Sequence, residues 1–303
     1  MKSLIIHCGF DKCGSTAIQS TLSRRRGYLL DRGVLYPMTG YDDRTQHQKF
    51  LTNAVLGYNP SPQPSDTPWA PFLDPPLHDF DTLAALLRKE VELTRPHTVV
   101  LSSEAISAPF YEHDEISRLV GIFDGPLLTS PETTAILVYR PAIDYVQSRW
   151  SHKIRNSPNF CLSPSEWLSA LKINNQLDFS ERLKALARIF DKVICIPYRA
   201  SGLIEQFWAQ VDLPTEALDQ PLDQKANVTP SKRYHDAVFR VKKLGIKQKL
   251  VRSALLRLYM GLDWARTPFG EQLSSEAVEY MQGIDADFAM TIRELRNCEN
   301  GSF

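Results

Sequence analysis

The run Leu4-Ile5-Ile6-His7-Cys8, almost wholly apolar and stopped by Gly9, most constrains what this chain can fold into. A strand that is apolar at every position, rather than at every second one, is covered on both faces, and that situation belongs to parallel sheets packed between helices. The segment Gly9-Phe10-Asp11-Lys12-Cys13-Gly14-Ser15-Thr16 follows, with a glycine at each side. Beyond it, Ala17, Ile18, Leu22, Leu29 and Leu30 fall near helical spacing until Gly33 stops the pattern before Val34-Leu35-Tyr36-Pro37. The order is strand, glycine loop, helix, strand.

The same alternation returns further on. A helix is expected over about 79 to 94 before the strand Thr98-Val99-Val100-Leu101-Ser102, and another near 111 to 123 before Thr134 to Tyr139. Val193 to Pro197 is the last clear core strand. Strands alternating with helices imply a parallel sheet with right-handed crossovers, which binds ligands at the carboxyl ends of its strands. The loops after Cys8, Ser102 and Tyr139 are therefore the places for a site. Seven prolines between residues 58 and 76 exclude a helix or interior strand there and indicate a surface insertion. The expected architecture is one α/β domain over 1–303, a P-loop-like three-layer fold with a central parallel sheet flanked by helices. It carries a proline-rich insertion at about 58–76 and a helical C-terminal extension from about 230.

With 303 residues, 43% hydrophobic and 23% charged, the chain has ordinary globular composition. Its formal net charge of zero argues against a generic polyanion binder, so no nucleic-acid partner is expected and any basic function is local. The apolar run at the start is too short for a signal peptide, and no span of about 18 uncharged apolar residues occurs elsewhere. The expectation is a cytoplasmic protein. Its five scattered cysteines, Cys8, Cys13, Cys161, Cys195 and Cys298, read as free thiols, and without further nearby ligands they make a zinc site improbable.

A loop joining a buried strand to a helix presents backbone N–H groups and the positive end of the helix dipole, which suit a phosphate or sulfate. Gly14 permits close approach, Ser15 and Thr16 supply hydroxyl donors, and Lys12 supplies a full charge. A triphosphate-binding loop reads GxxxxGK[ST]. Here the glycine spacing is kept while the lysine stands two residues before Gly14. Such enzymes also need an acidic metal ligand at another strand end, yet Tyr139 is followed by Arg140. Arg140 precedes a helix opened by Pro141, and Ser148 lies two turns along, so both side chains can serve one anionic group.

Together these segments resemble the PAPS-dependent sulfotransferases, especially bacterial carbohydrate-sulfotransferase-like enzymes. The family loop KxG[ST]T corresponds to Lys12-Cys13-Gly14-Ser15-Thr16, and the family's strand-end arginine with a serine eight positions later corresponds to Arg140 and Ser148. Gly33 to Pro37 is similar to the family's GxxYP turn, and Ser102-Ser103-Glu104 to its SSE. The resemblance runs with gaps over about 1 to 240. It implies transfer of a sulfuryl group from 3′-phosphoadenosine 5′-phosphosulfate to a hydroxyl or amine of a carbohydrate, glycolipid or small molecule, with adenosine 3′,5′-bisphosphate as product and no required metal. It also implies that Lys12, Cys13, Gly14, Ser15, Thr16 and Ala17 hold the 5′-phosphosulfate while Arg140 and Ser148 hold the 3′-phosphate.

An in-line attack needs a general base beside the acceptor. Two residues compete: His47, in the region where related enzymes carry theirs, and Glu104, at the end of a core strand. His7, inside its strand, reads as a core histidine. Arg199, Asn227 and Thr229 match late family segments more loosely. The basic stretch 232–257 suits the 3′-phosphate, an acidic glycan, peripheral contact with a membrane, or balance against the acidic 271–299 segment. The alternatives to sulfuryl transfer are a P-loop kinase or nucleoside triphosphatase with an altered loop, and a non-catalytic nucleotide-binding module. The acceptor itself is not spelled in the sequence, although Trp69, Phe72, Trp150 and Trp167 are of the type that stacks on a sugar.

Overall fold

The computed structural model describes residues 1–10, 12–41, 49–55, 79–107, 113–124, 131–157, 160, 162–198, 201–211, 238 and 273–299. The chain divides into two compact units, Met1–Tyr139 with Glu181–Leu222, and Arg140–Ser180 with Asp223–Phe303.

The first unit is an α/β fold around five parallel strands: β1 (Ser3–His7), β2 (Val34–Leu35), β3 (Thr98–Ser102), β4 (Glu132–Tyr139) and β5 (Lys192–Pro197). Their order is β2-β3-β1-β4-β5. Leu4 and Ile6 are fully buried, as are Val99, Val100 and the run Ala135 to Val138, which is why these segments carry no polar alternation. The chain leaves β1 toward the β3 side and leaves β4 toward the β5 side, so the winding reverses at the neighbouring carboxyl ends of β1 and β4. Parallel sheets of this kind bind ligands at such a reversal.

The connecting helices are α1 (Ser15–Arg24), α2 (Arg26–Leu30), α3 (Lys49–Val55), α4 (Phe80–Thr94) and α5 (His113–Gly121). The single helix expected from Ser15 to Gly33 is in fact two. Arg25 departs from helical geometry at φ −99°, ψ 10°, and Arg26 turns to donate Nε to the Tyr36 carbonyl at 2.8 Å. The guanidinium then lies 4.4 Å from the Tyr41 ring centroid, and the Glu90 carboxylate of α4 accepts from the Met38 and Thr39 N–H groups. The turn after β2 is thus clamped from two sides. Helix α4 is capped by Asp79, whose carboxylate accepts from Thr82 N–H and sits below the usual aspartate range because of the Thr82 backbone and hydroxyl bonds.

The second unit contains α6 (Ala142–Asn156), α7 (Pro164–Ile173) and, near the C terminus, the 25-residue helix α10 (Ser275–Glu299). Helix α8 (Phe179–Ala187) spans the boundary between the units, and α9 (Leu203–Gln210) belongs to the first. Helix α7 begins with a complete Ser163/Glu166 capping box and Pro164 in its first turn. Tyr145, Phe179 and Phe288 stack edge to face along the packing of α6 and α10. Among the described residues no helix is long and apolar enough to cross a membrane.

Candidate functional site

After His7 the chain does not leave the sheet at once. Cys8 N–H donates to the Ile136 carbonyl and Phe10 N–H to Val138, so the start of the loop runs along β4. The backbone then turns sharply. Lys12 has φ 65° and Gly14 φ 86°, with Cys13 of ordinary handedness between them. Alternating handedness points successive N–H groups to one side, the arrangement of an anion-binding concavity. Gly14 is the N-cap of α1 with no side-chain cap. Among the described residues the N–H groups of Gly14, Ser15 and Thr16 donate to no protein group. Ser15 is 3% exposed, and its hydroxyl has no partner. Thr16 is exposed, Ala17 and Lys12 half-buried. These donors fit an anion, since a buried hydroxyl and uncapped helix N–H groups are costly unless something satisfies them.

Gly14 has a second reason to be glycine. A Cβ there would lie 2.5 Å from Leu203 Cδ2 of α9 and 2.9 Å from Tyr198 Cε2, so the loop is braced from β5 and α9 and not merely opened for a ligand. Cys13 is fully buried. Burial first, and then Cys195, pushes the neighbouring Cys8 thiol far above its usual range, so Cys8 is a packing residue and not a nucleophile.

Glu104 opens a 3-10 turn, Glu104–Ser107, directly after β3, and is half-buried. The two serines before it are fixed: Ser102 Oγ and His7 Nδ1 share a 2.8 Å hydrogen bond, and Ser103 N–H donates to the His7 carbonyl. His47 lies outside the described residues, as do the 58–76 insertion with Trp69 and Phe72, Arg199, Asn227, Thr229 and, apart from Val238, the stretch 232–257.

In the second unit Arg140 is half-buried and Ser148, on α6, is half-buried as well. One N–H at the start of α6 is already taken: Ala142 N–H donates to Asp285 Oδ1 of α10 at 2.8 Å. Burial, reinforced by Asp144, raises the Asp285 carboxyl above its usual range even though the Ala142 bond works the other way. Arg149, the next residue along α6, is anchored within this unit. It donates to Gln176 Oε1 at 2.8 Å and to the Tyr145 hydroxyl, and it faces the Trp167 ring. Trp150 and Trp167 are buried, with Trp150 donating to the Leu162 carbonyl, which makes them core residues of this unit rather than a sugar platform.

Sequence reasoning missed three contributors: Asp285, Tyr198 and Arg182, whose guanidinium lies 5.5 Å from the centroid of the loop residue Phe10. None has a local signal, because each reaches its partner across more than a hundred residues of chain. Among the described residues no group of three or more His, Cys, Asp or Glu is placed to hold a metal ion.

No family model matches the chain, and no curated protein matches it.

Proposed function

We propose that the chain is a PAPS-dependent sulfotransferase with a P-loop-like fold. It moves a sulfuryl group from 3′-phosphoadenosine 5′-phosphosulfate to a hydroxyl or amine of a carbohydrate, glycolipid or small molecule. The observation that carries this reading is the loop at the end of β1, where unsatisfied N–H groups and the buried Ser15 hydroxyl meet a lysine strained into the left-handed region. A non-glycine residue at φ 65° costs about 1–2 kcal/mol, and such outliers gather where function requires a particular direction.

In this reading Gly14, Ser15 and Thr16 bind the 5′-phosphosulfate, with Cys13 and Ala17 as flanking backbone. Lys12 offsets charge on the oxygen that bridges sulfur to the departing bisphosphate. The acceptor oxygen or nitrogen attacks sulfur as that bridging S–O bond breaks, and the acceptor proton passes to Glu104 or His47. Arg140 and Ser148 hold the 3′-phosphate. The basic 232–257 stretch suits the 3′-phosphate, an acidic glycan or an anionic membrane, and the protein is expected in the cytoplasm.

The test is calorimetry with adenosine 3′,5′-bisphosphate, joined to labelled-sulfate transfer from the donor onto glycans, glycolipids and phenols, with and without chelator. Bisphosphate binding with chelator-resistant transfer supports the reading. Chelator-abolished transfer of phosphate from ATP would assign the loop to a kinase instead, and bisphosphate binding without transfer to any acceptor would leave a binding module.

A further inference from the structure

We propose that His7 is a positioning residue, one that ties the glycine loop to the Ser102-Ser103-Glu104 corner so that the bound donor group and the Glu104 carboxylate keep a single geometry. The inference rests on the sulfuryl-transfer reading and deepens it.

His7 is the last residue of β1 and is fully buried. Strand register places Ser102, the last residue of β3, directly beside it. His7 is tied to this corner twice: Nδ1 shares a 2.8 Å hydrogen bond with Ser102 Oγ, and the His7 carbonyl accepts the N–H of the next residue, Ser103, at 3.0 Å. Ser103 Oγ lies 3.2 Å from Thr52 Oγ1 of α3, so the corner is held from a third element. The other edge of the imidazole faces the loop. A Cβ on Gly9 would come 3.0 Å from His7 Nε2 and 3.1 Å from Ser15 Oγ, which puts the ring and the first hydroxyl of α1 around the same point of backbone. The edge-to-face ring of Phe207, 5.4 Å between centroids, completes the enclosure.

A leucine or valine would serve this buried strand position at lower desolvation cost. The imidazole instead directs its polar edges at the two strand ends on either side of the proposed reaction, one leading into the donor loop and one into the candidate base. A general base acts only within hydrogen-bond reach of its proton, and a displacement of about 1 Å costs about a hundredfold in rate.

The test compares His7→Phe, His7→Asn, Ser102→Ala and the His7→Phe/Ser102→Ala double variant. Turnover of labelled donor and calorimetric affinity for adenosine 3′,5′-bisphosphate are measured on each full-length chain. His7→Phe and Ser102→Ala are expected each to lower kcat by about tenfold or more, with bisphosphate affinity held within about threefold and the double variant no slower than the worse single one. His7→Asn, whose amide falls near the Nδ1 position, is expected to recover most of the loss. If the phenylalanine variant does not fold, Ser102→Ala decides, because it removes one hydroxyl only. Wild-type kcat in Ser102→Ala, additive losses in the double variant, or affinity falling in step with kcat overturns the inference alone. A wild-type chain that neither binds the bisphosphate nor turns over the donor overturns the sulfuryl-transfer reading, and this inference with it.

Discussion

Lys12 carries two separable properties, a charge and a strained backbone. Lys12→Ala removes the charge and leaves a Cβ at φ 65°, whereas Lys12→Gly removes both. On the proposed mechanism both variants lose turnover by at least about a hundredfold, because the charge matters mainly in the transition state. Their melting temperatures should part company: Lys12→Gly at or above the wild type, Lys12→Ala no better than it. Equal turnover in wild type and Lys12→Ala removes the lysine from the mechanism. Gly14 is the opposite case. Gly14→Ala adds a Cβ at φ 86° against Leu203 and Tyr198, so it is expected to destabilise by about 1–3 kcal/mol before any ligand is considered. Denaturant unfolding of the ligand-free protein measures this, and an unchanged midpoint rules out the bracing role of Tyr198 and Leu203.

Elements explain what was legible in the chain and what was not. Strands β1, β3 and β4 were plain because strands buried on both faces read as unbroken apolar runs, and β3 falls at the expected residues, Thr98 to Ser102. The break between α1 and α2 was hidden, since Arg26 is drawn away by carbonyls ten and eleven residues on. Two candidate-site features were visible as motifs, the glycine loop and the Arg140–Ser148 spacing. The cap on α6 was not, because Asp285 lies 143 residues from Ala142. The character of His7 was half visible: it is a core residue, but the bonds that distinguish it run to a strand 95 residues away.

Helix α6 allows a pH test. The Asp285 carboxyl is raised in the folded state, so its contribution to stability is fully present below the usual aspartate value of about 3.9 and is lost as pH rises through the folded value. Asp285→Asn keeps an oxygen for the Ala142 N–H but neither charge nor repulsion from Asp144. It is expected to be at least as stable as the wild type at pH 7, with the advantage shrinking as pH falls toward 4. Asp285→Ala loses the cap itself and should cost about 0.5–2 kcal/mol at either pH. Thermal unfolding of the three proteins at pH 4 and pH 7 separates these outcomes, and a greater asparagine advantage at pH 4 than at pH 7 contradicts the assigned direction.

At the scale of the whole molecule the nucleotide product of the proposed donor should act as a stabilising ligand. At a hundred times its Kd, adenosine 3′,5′-bisphosphate is expected to add about 2.7 kcal/mol to the state that binds it, a rise of several degrees in Tm for a protein of this size. Arg140→Ala should weaken binding by about 1.5–3 kcal/mol, the usual worth of a hydrogen bond to a charged group. No thermal shift with the bisphosphate, in a wild-type protein that unfolds cooperatively, counts against the donor assignment.

The strand order has a consequence for synthesis. β1 is made before the other four strands of its sheet, yet it ends in the middle of it, and its two neighbours are β3 and β4. Its second neighbour is complete only when Tyr139 has been made. At roughly 5–20 residues per second the ribosome needs on the order of ten seconds to go from the end of β1 to that point. For that interval Leu4-Ile5-Ile6 is an apolar strand without its full set of partners, and the edge strand β5 comes later still. Nascent chains of this protein should therefore depend on a holding chaperone far more than the finished fold does.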